Sequence, residues 1–461
     1  LRLDVVAKAT THKDSLVALR RAGLSQTMDI TIEKLIYGGE GLAHHEGATV
    51  FVPFVLPGER VAVAPVEQKK KFVRGRVEQI FQASAERIAA RCPHFGVCGG
   101  CDYQHISYDA QLRYKSDILR ETLRRLGKIE WSGEIVRHES SSAWGYRNRA
   151  QWKVRPLEGA AGEAGNGVAA GSDRLGIGYF RANSTALCAV EDCSIISPLL
   201  LKTLLALREA LAAGALPRGL REIEAFVDAS DSKLLLTATF AGFPSRAAQH
   251  AETFRRVVPE IASLLFHDPS HDRMELFGPG FLDYEAGGIA YRVGHFSFFQ
   301  VNRFLVEELA RDVVERDEGG QLALDLFAGV GLFSVPLAAR FERVISVESN
   351  PAATRDLETN VRGRGTIEVR TAEVERFVER TKEWPELVVL DPPRAGVMPE
   401  AIQRIVKIGP ARITYVSCDP PTLARDLALF VKGGYDYSEI HLFDLFPQTF
   451  HMESVVRLRR R

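Results

Sequence analysis

The sequence lacks any long apolar run, and nowhere does it approach the roughly 18 consecutive apolar residues that a membrane-spanning helix needs. The first 26 residues carry scattered charges and lack the apolar core of a signal peptide. These two absences predict a cytoplasmic protein that does not insert into a membrane.

An excess of one charge sign is also missing, because 59 basic side chains balance 59 acidic ones. The overall charge therefore does not indicate a nucleic-acid partner, and only a local patch could carry that prediction. Cysteine is scarce, with six residues in the chain, three of them within ten positions. This distribution argues against a secreted disulfide framework and, in an intracellular chain, indicates a metal-binding or catalytic group.

A chain of 461 residues is too long for one ordinary hydrophobic core, so we expect several domains. Short strand-like segments with Gly- and Pro-containing turns follow one another from Met28 to Val77, which predicts a small β-barrel. The hairpin at 69–76 is rich in Lys and Arg. A solvated hairpin and an oligonucleotide-binding surface both fit this composition.

Three cysteines in a short loop, Cys92, Cys98 and Cys101, are spaced so that they can converge on one metal centre. The two glycines before the last of them let the backbone wrap closely round such a centre. A fourth ligand must come from elsewhere, and the candidates before the C-terminal region are Cys188 and Cys193. An iron–sulfur cluster and a structural zinc ion both fit this spacing.

The C-terminal region alternates apolar strand candidates with helical segments, a pattern typical of an open parallel α/β sheet. Helices are predicted at 351–361 and 399–408. The strands are predicted at 322–326, 343–347, 366–370, 386–390 and 413–416.

Polar residues follow these strands, where open α/β sheets build their sites. The glycine loop at 329–331 lacks the third glycine of a dinucleotide-binding loop, so it fits a nucleoside-type cofactor better. Glu348 is placed to accept hydrogen bonds from ribose hydroxyls, and Asp391 is a polar contact held by two following prolines. Cys418, after the last of these strands, is either a small buried hydrophobe or a nucleophile.

Six motifs together resemble the S-adenosylmethionine-dependent RNA (uracil-5-)-methyltransferases, and they occur in that family's order from residue 28 to the end of the sequence. The motifs are Cys92…Cys98-Gly99-Gly100-Cys101, Phe298-Phe299-Gln300-Val301-Asn302, Asp325-Leu326-Phe327-Ala328-Gly329-Val330-Gly331, Asp391-Pro392-Pro393-Arg394, Ser417-Cys418-Asp419-Pro420 and Phe446-Pro447-Gln448-Thr449-Phe450-His451-Met452-Glu453. Within this family, the sequence most resembles the members that have a TRAM domain and an iron–sulfur cluster and act on 23S ribosomal RNA.

The resemblance implies a multidomain protein with three domains after an N-terminal extension at residues 1–26. A small OB-like TRAM β-barrel that binds RNA is expected at 27–85. A mixed α/β central domain with an iron–sulfur cluster is expected at 86–290, and an α/β Rossmann-like methyltransferase domain at 291–461. The resemblance also implies a monomer and RNA, in particular ribosomal RNA, as the partner.

The same resemblance implies two cofactors, S-adenosyl-L-methionine and a [4Fe–4S] cluster. It favours the cluster over zinc, matches Cys193 to the distal ligand and leaves Cys188 as a spectator. The implied cluster ligands are Cys92, Cys98, Cys101 and Cys193. The implied residues that hold S-adenosylmethionine are Gln300, Phe327, Glu348 and Asp391.

The implied chemistry explains these residue types. Carbon 5 of uracil is a poor nucleophile, and addition of the Cys418 thiolate at carbon 6 gives carbon 5 the carbanion character needed to take a methyl group. Glu453 is then the base that removes the proton from carbon 5, so that the thiol can leave. Phe298 is placed to stack on the target base, which must be extruded from a folded RNA.

Three other hypotheses remain beside a ribosomal-RNA methyltransferase. The substrate could be transfer RNA, although the expected barrel and metal centre argue against this. The chain could be a non-catalytic RNA-binding or chaperone protein, against which the intact Cys418, Asp391 and Glu453 count. A zinc-bearing methyltransferase of small molecules is disfavoured by the barrel.

Overall fold

The computed structural model describes residues 27–157, 175–315 and 318–461, and the extension expected at 1–26 lies outside these ranges. In the described ranges the strands form sheets of six, seven and eight strands and a two-stranded hairpin. No helix in these ranges is long and apolar enough to cross a membrane.

The six-stranded sheet comes first in the chain and has the order β1-β5-β6-β4-β3-β2. One apolar cluster contains side chains from four strands of this sheet, namely Ile30, Val50, Val61 and Val73. The sheet therefore curls round its own core, as a small barrel does. The strands are β1 (Met28–Thr31), β2 (Lys34–Leu35), β3 (Glu40–His45), β4 (Ala48–Pro53), β5 (Arg60–Gln68) and β6 (Phe72–Gln82).

The basic hairpin joins β5 to β6, and acidic neighbours pair with several of its positive charges. Arg76 lies 2.7 Å from Glu78, and Lys69 lies 3.2 Å from Glu67. Arg74 forms a longer pair, 3.5 Å, with a glutamate of β3. The local excess of positive charge is therefore smaller than the sequence alone indicates.

The seven-stranded sheet has the order β10-β9-β8-β11-β12-β13-β14, and two helices pack against it. Its core surrounds Trp152, which is fully buried, together with Leu204 and Phe254 from the helices. The elements are β8 (Arg149–Pro156), β9 (Leu175–Phe180), β10 (Leu187–Ala189), α2 (Pro198–Ala212), β11 (Leu220–Val227), β12 (Leu234–Phe240), α3 (Ala247–Val257), β13 (Ile261–Asp268) and β14 (Arg273–Phe277).

The eight-stranded sheet, of order β19-β18-β17-β20-β21-β23-β22-β7, has helices on both faces. The hairpin of β15 (Phe281–Ala286) and β16 (Ile289–Gly294) packs beside it. The sheet and its helices are α1 (Tyr108–Thr122), β7 (Ile135–His138), α4 (Val306–Glu315), β17 (Gly320–Leu326), α5 (Ser334–Leu337), β18 (Phe341–Glu348), α6 (Pro351–Asn360), β19 (Ile367–Thr371), α7 (Val374–Arg380), β20 (Leu387–Leu390), α8 (Pro399–Ile408), β21 (Arg412–Ser417), α9 (Pro420–Lys432), β22 (Tyr435–Phe443) and β23 (Glu453–Arg460).

The five strands expected in this region are present, but the sheet is mixed rather than purely parallel. β23 lies between β21 and β22 and is antiparallel to both. β7 comes from much earlier in the chain and pairs in parallel with β22. The prediction of an open parallel sheet was therefore wrong for the edge of the sheet that contains β23 and β22. The alternation of strands and helices in the sequence indicates only the strands that are joined by helices, and those are parallel.

The helix α1 also joins this layer, although it precedes the seven-stranded sheet in the chain. Its Ile118 and Leu119 lie in one apolar cluster with Leu423 and Leu427 of α9. The chain from α1 to β7 is thus packed against the same unit as β21 and β22. This placement brings α1 next to the loop that connects β22 to β23.

Candidate active site

Polar side chains meet at the carboxyl ends of four neighbouring strands. Asp325 lies near the end of β17, Glu348 closes β18, and Asp391 and Cys418 follow β20 and β21 directly. These strands are parallel neighbours, so their carboxyl ends share one edge of the sheet. The predicted site residues of this region are therefore brought together.

Glu453 reaches the same edge through the antiparallel strand β23. Ser417 of β21 pairs with Ser454 of β23, and the next position along this register places Cys418 opposite Glu453. Glu453 is 3% exposed, and its Oε1 has no hydrogen-bond partner among the described residues. An unpartnered buried carboxyl oxygen costs free energy, which is typical of a group kept for a substrate.

Local sequence fixes the position of Cys418. Asp419 caps α9, since its Oδ1 accepts a hydrogen bond of 2.9 Å from the backbone N–H of Thr422. Pro420 begins that helix and has no N–H to leave unsatisfied there. The thiol is thus held between the end of a buried strand and the start of a capped helix, partly open to solvent.

The surroundings of Cys418 disfavour its thiolate in the absence of ligands. Burial raises the pKa of the Cys418 thiol to about 12, and the carboxyl of Glu453 adds to this effect. The guanidinium of Arg394 acts in the opposite direction and lowers the same pKa. A further positive charge in the pocket would therefore favour the reactive form.

Burial also disfavours the ionised forms of the carboxyls beside it in the absence of ligands. Burial raises the pKa of Asp325 to about 7, although a hydrogen bond from Ser334 opposes the change. Burial together with Asp325 raises the pKa of Asp391 to about 7. Burial and then Asp391 raise the pKa of Glu453 well above its usual value. The site is rich in buried carboxyls, which suits a cationic ligand such as a sulfonium.

The glycine loop after β17 is held by Glu348. Gly329 donates its backbone N–H to Glu348 Oε2 at 2.9 Å, and Asn350 donates to Oε1 at 2.7 Å. Gly331 has φ +94°, and a Cβ atom there would lie only 2.7 Å from Leu357, so only glycine fits. Phe327 precedes the loop with φ +68°. Each carboxylate oxygen of Glu348 accepts one of these two backbone hydrogen bonds, and each can still accept another from a ribose hydroxyl.

Gln300 lies on the segment between the hairpin and α4. It is 5% exposed, and Asn148 donates a hydrogen bond of 2.9 Å to its backbone oxygen. Phe299 beside it is buried in the core, whereas Phe298 is 60% exposed. The ring of Phe298 is therefore accessible, and its stacking on a base stays a prediction.

Sequence reasoning missed the residues that hold the loop carrying Glu453. Lys115 of α1 is fully buried and lies 2.6 Å from Asp444 at the start of that loop. Gln111, one turn earlier, exchanges hydrogen bonds with Gln448: its Nε2 donates to Gln448 Oε1 at 3.1 Å, and Gln448 N donates to its Oε1 at 2.9 Å. A lysine on an amphipathic helix reads as a solvated residue, so no sequence signal indicated this role.

Arg394 is a second residue to which the sequence assigned no role. Its guanidinium lowers the pKa of both Cys418 and Glu453, and its Nη2 lies 3.3 Å from Nδ1 of His451. It follows Asp391-Pro392-Pro393, so its position in that motif could have indicated it. Arg394 is the cation that acts most directly on the thiol.

The predicted metal ligands lie near one another, and the residues after Cys101 contact the loop that carries Glu453, because Asp102 and Tyr103 donate their backbone N–H groups to the carbonyl oxygen of Gln448. Cys98 and Cys101 pack against the core that contains Cys193. Burial is the main cause that raises the pKa of Cys101, and the nearby thiolates of Cys193, Cys98 and Cys92 raise it further. Backbone N–H groups donate to three of the thiols. Those of residues 94 and 95 donate to Cys92, that of residue 100 donates to Cys98, and those of residues 195 and 196 donate to Cys193. Such N–H···S contacts are typical of the thiolates that hold an iron–sulfur cluster.

Cys188 was expected to be a spectator, and it lies close to this set. Its thiol is buried and hydrogen-bonds with that of Cys98. Its own segment, β10, holds it in an antiparallel pair with Tyr179. That Cys188 is a neighbour of the cluster and not one of its ligands stays a prediction.

Two protein families match the chain by sequence. The family described as tRNA (Uracil-5-)-methyltransferase matches residues 281–461, and the TRAM domain matches residues 24–77. An "Uncharacterized RNA methyltransferase" of Aquifex aeolicus is 33% identical over 448 residues, covering 94% of this chain and 98% of the relative. The 23S rRNA (uracil(1939)-C(5))-methyltransferase RlmD of Klebsiella pneumoniae is 33% identical over 453 residues, covering 96% and 98%.

A solved structure resembles the whole fold. The Pyrococcus abyssi tRNA (uracil-54, C5)-methyltransferase, in complex with S-adenosyl-L-homocysteine, has a TM-score of 0.71 and is 26% identical. The likeness covers 94% of this chain and 100% of that one.

Proposed function

The chain belongs to the S-adenosylmethionine-dependent RNA (uracil-5-)-methyltransferase family, and from this premise we propose that its substrate is a uridine of 23S ribosomal RNA. The relatives that act on 23S RNA match it over nearly their whole length, and the TRAM domain, an RNA-binding module, is present. The observation that carries the catalytic assignment is the β21–β23 register, which sets Cys418 opposite Glu453.

In this proposal Cys418 is the nucleophile. Its sulfur forms a bond to carbon 6 of uracil, and the electrons of the 5,6 double bond move toward the carbonyl at carbon 4. Carbon 5 then takes the methyl group that S-adenosylmethionine supplies. The thiol must first lose its proton to the solvent, to which it is partly open. Its pKa is about 12 even with Arg394 lowering it, and the cationic cofactor would lower it further.

Glu453 is the base that ends the cycle. It removes the proton from carbon 5, the double bond forms again and the sulfur of Cys418 leaves as the thiolate. Its Oε1, buried and without a hydrogen-bond partner in the described chain, can take this proton once the carboxyl is ionised. Arg394 and the cationic cofactor both favour that ionised form. Asp391 and Gln300 lie near the reacting centre in this assignment, while Glu348 and Phe327 hold the nucleoside part of the cofactor.

We also assign a [4Fe–4S] cluster to Cys92, Cys98, Cys101 and Cys193. The converging thiols and their N–H···S contacts support this assignment. When bound, the cluster would tie the loop at 92–101 to the turn that precedes α2. It would act as a cross-link between these segments.

Transfer RNA is the second candidate substrate, and a specific observation favours it: the structure with a TM-score of 0.71 is that of an enzyme named for uracil 54 of tRNA. The two substrates are separated by incubating the protein with radiolabelled S-adenosylmethionine and either 23S ribosomal RNA or tRNA that lack 5-methyluridine. We expect label in one mapped uridine of the ribosomal RNA. Label in tRNA alone would replace our proposal by the second one.

A control tests whether the protein is an enzyme at all. RNA containing 5-fluorouridine has no proton for Glu453 to remove, so the wild type should be trapped as a covalent adduct after methylation. The Cys418→Ala variant should give no adduct. An RNA complex without any covalent product in the wild type would favour a non-catalytic RNA-binding protein.

A further inference from the structure

Two phenylalanines are exposed on the segment that leads from the β15–β16 hairpin to the active site. Phe296 is 45% exposed and Phe298 is 60% exposed, whereas Ser297 and Phe299 are buried. Gln300, which is almost buried, follows them in the chain. The segment therefore presents two aromatic rings in succession at the surface before it enters the molecule.

Polar contacts on both sides hold this segment in place. Ser297 donates a hydrogen bond of 2.6 Å from its Oγ to Oδ2 of Asp356 in α6. Arg149 of β8 donates to the backbone oxygen of Ser297 at 2.9 Å, and Asn350 donates from its Nδ2 to the backbone oxygen of Phe296 at 3.2 Å. Because the backbone is already fixed, the two rings need little ordering when a ligand binds to them.

The ring of Phe296 adjoins the seven-stranded sheet. It lies edge-on to His267 of β13, with 5.6 Å between the ring centroids. His267 pairs in the register with Met274 of the edge strand β14, and the side chain of Met274 is 54% exposed. The contact of Phe296 with Asn350, two residues after Glu348, is made by the backbone oxygen. The side chain of Phe296 thus extends the exposed surface toward β14, beyond the cofactor loop.

The spacing of the two phenylalanines fits neighbouring bases of a single strand. Two residues of extended chain span at most about 7 Å, so the Cα atoms of Phe296 and Phe298 are no farther apart than this. Stacked bases follow one another at about 3.4 Å, and bases that are splayed apart lie farther from each other. Two rings on so short a segment can therefore each take one base, as in proteins that bind single strands.

Extrusion of the target uridine creates a need for such a ring. When the uridine leaves the stack, the bases on either side of it lose a stacking partner, and each exposes one face. An accessible aromatic ring can cover that face. Single exposed apolar side chains are common and need no ligand, but Phe296 is continuous with the ring that is predicted to stack on the target base.

We propose that Phe296 is a second stacking platform, which takes the base of the nucleotide next to the target uridine while Phe298 takes the target base. The inference rests on the proposed function, because it requires an RNA whose uridine is extruded. Phe296 holds the neighbouring base outside the RNA stack and so favours the extruded conformation. The affinity for RNA then depends on this ring, whereas the affinity for S-adenosylmethionine does not.

Equilibrium binding of intact and abasic RNA tests this proposal. The RNA is a fragment of 23S ribosomal RNA or a transfer RNA, whichever the wild type methylates, and two further forms each lack the base on one side of the target uridine. Phe296→Ala should raise Kd for the intact RNA at least about 5-fold, because stacking of one base contributes roughly 1 kcal/mol or more. For one of the two abasic RNAs, the wild type and Phe296→Ala should bind equally.

Two further variants serve as controls. Phe296→Trp keeps an aromatic ring and should bind the intact RNA as tightly as the wild type does. Trp384→Ala should also bind as the wild type does, since Trp384 is a large exposed ring that precedes β20, at the edge of the sheet opposite to the site.

Three results would overturn the proposal: unchanged RNA binding by Phe296→Ala, an equal loss of affinity for the intact and both abasic RNAs, or weaker binding of S-adenosylmethionine by Phe296→Ala in calorimetry. The second result would show a structural effect, and the third would show a contact with the cofactor. Methylation by the wild type is measured separately, so a failure of the proposed function is distinguished from a failure of this inference.

Discussion

The phenol of Tyr37, in the TRAM domain, donates a hydrogen bond of 3.0 Å to Oδ2 of Asp419, the residue that follows Cys418. The same ring lies edge-on to Phe450, 5.4 Å between centroids, in the loop that leads to Glu453. A domain placed at the opposite end of the sequence thus contacts both segments that carry the proposed catalytic residues. We infer from these two contacts that Tyr37 positions the turn at Cys418.

Tyr37→Phe should therefore slow methylation without weakening the binding of RNA. The lost hydrogen bond contributes roughly 0.5–1.5 kcal/mol, so we expect kcat to fall about 2- to 10-fold while KM for RNA stays unchanged. Tyr437→Phe is the control, since its hydroxyl bonds a distant backbone oxygen at 3.3 Å on the surface. A fall in both variants, or a change in KM alone, would contradict a positioning role.

Glu453→Gln should stop the reaction after methyl transfer. The amide cannot take the proton from carbon 5, so the bond between Cys418 and carbon 6 should persist on natural RNA, with product release at least ~100-fold slower. Denaturing gels and mass spectrometry of the protein–RNA adduct measure this. Glu358→Gln, an exposed glutamate of α6, should behave as the wild type. Normal release of 5-methyluridine by Glu453→Gln would remove Glu453 from the mechanism.

Cofactor affinity should depend on pH because burial raises the pKa of both Asp325 and Asp391 to about 7. Below that pH these carboxyls are protonated and must release protons to the solvent when the sulfonium cation binds, so affinity should rise up to about pH 7 and then level off. Stability should change oppositely: the folded state binds more protons than the unfolded state between about pH 4 and 7, so unfolding becomes easier as pH rises through this window.

Calorimetry of S-adenosylmethionine binding in two buffers of different ionisation enthalpy measures the released protons. Asp391→Asn should release fewer protons than the wild type below pH 7. An affinity independent of pH across this window would show that neither carboxyl responds to the cofactor.

Lys115→Met should destabilise the protein strongly, because it leaves Asp444 buried and unpaired. Breaking a fully buried ion pair costs about 3–5 kcal/mol in free energy of unfolding. Lys202→Met breaks the exposed pair with Glu260 and should cost less than about 1 kcal/mol. Urea denaturation compares the two. Adding Asp444→Asn to Lys115→Met should recover part of the loss, and a lack of recovery would argue against the ion pair as its cause.

Removing single thiols should separate the cluster ligands from their neighbour. Cys193→Ser should lose the broad visible absorbance of an iron–sulfur protein and its iron, because the cluster loses a ligand. Cys188→Ser should keep both. Iron and sulfide analysis of anaerobically purified protein measures this, and a colourless wild type that contains zinc would refute the cluster.

Much of this could be predicted from the sequence. The motifs identified the family, and the comparisons confirm it, together with the TRAM domain and the methyltransferase fold. Apolar runs followed by Gly, Pro or Asp located β17 and β21, because such strands are buried on both faces and end abruptly. Cys418, Asp391 and Glu348 were predicted as site residues for this reason, since they stand directly behind or at the ends of such strands.

The sequence by itself determined which residue types stand at the strand ends and in what order. Only the tertiary structure decided that β23 enters the sheet antiparallel beside β21 and sets Glu453 opposite Cys418. Only the tertiary structure, likewise, buried Lys115 against Asp444 and brought Tyr37 to Asp419. The physical reason is that local patterns record which face of an element is apolar, whereas the partner of a buried charge is set by contacts between segments far apart in the chain.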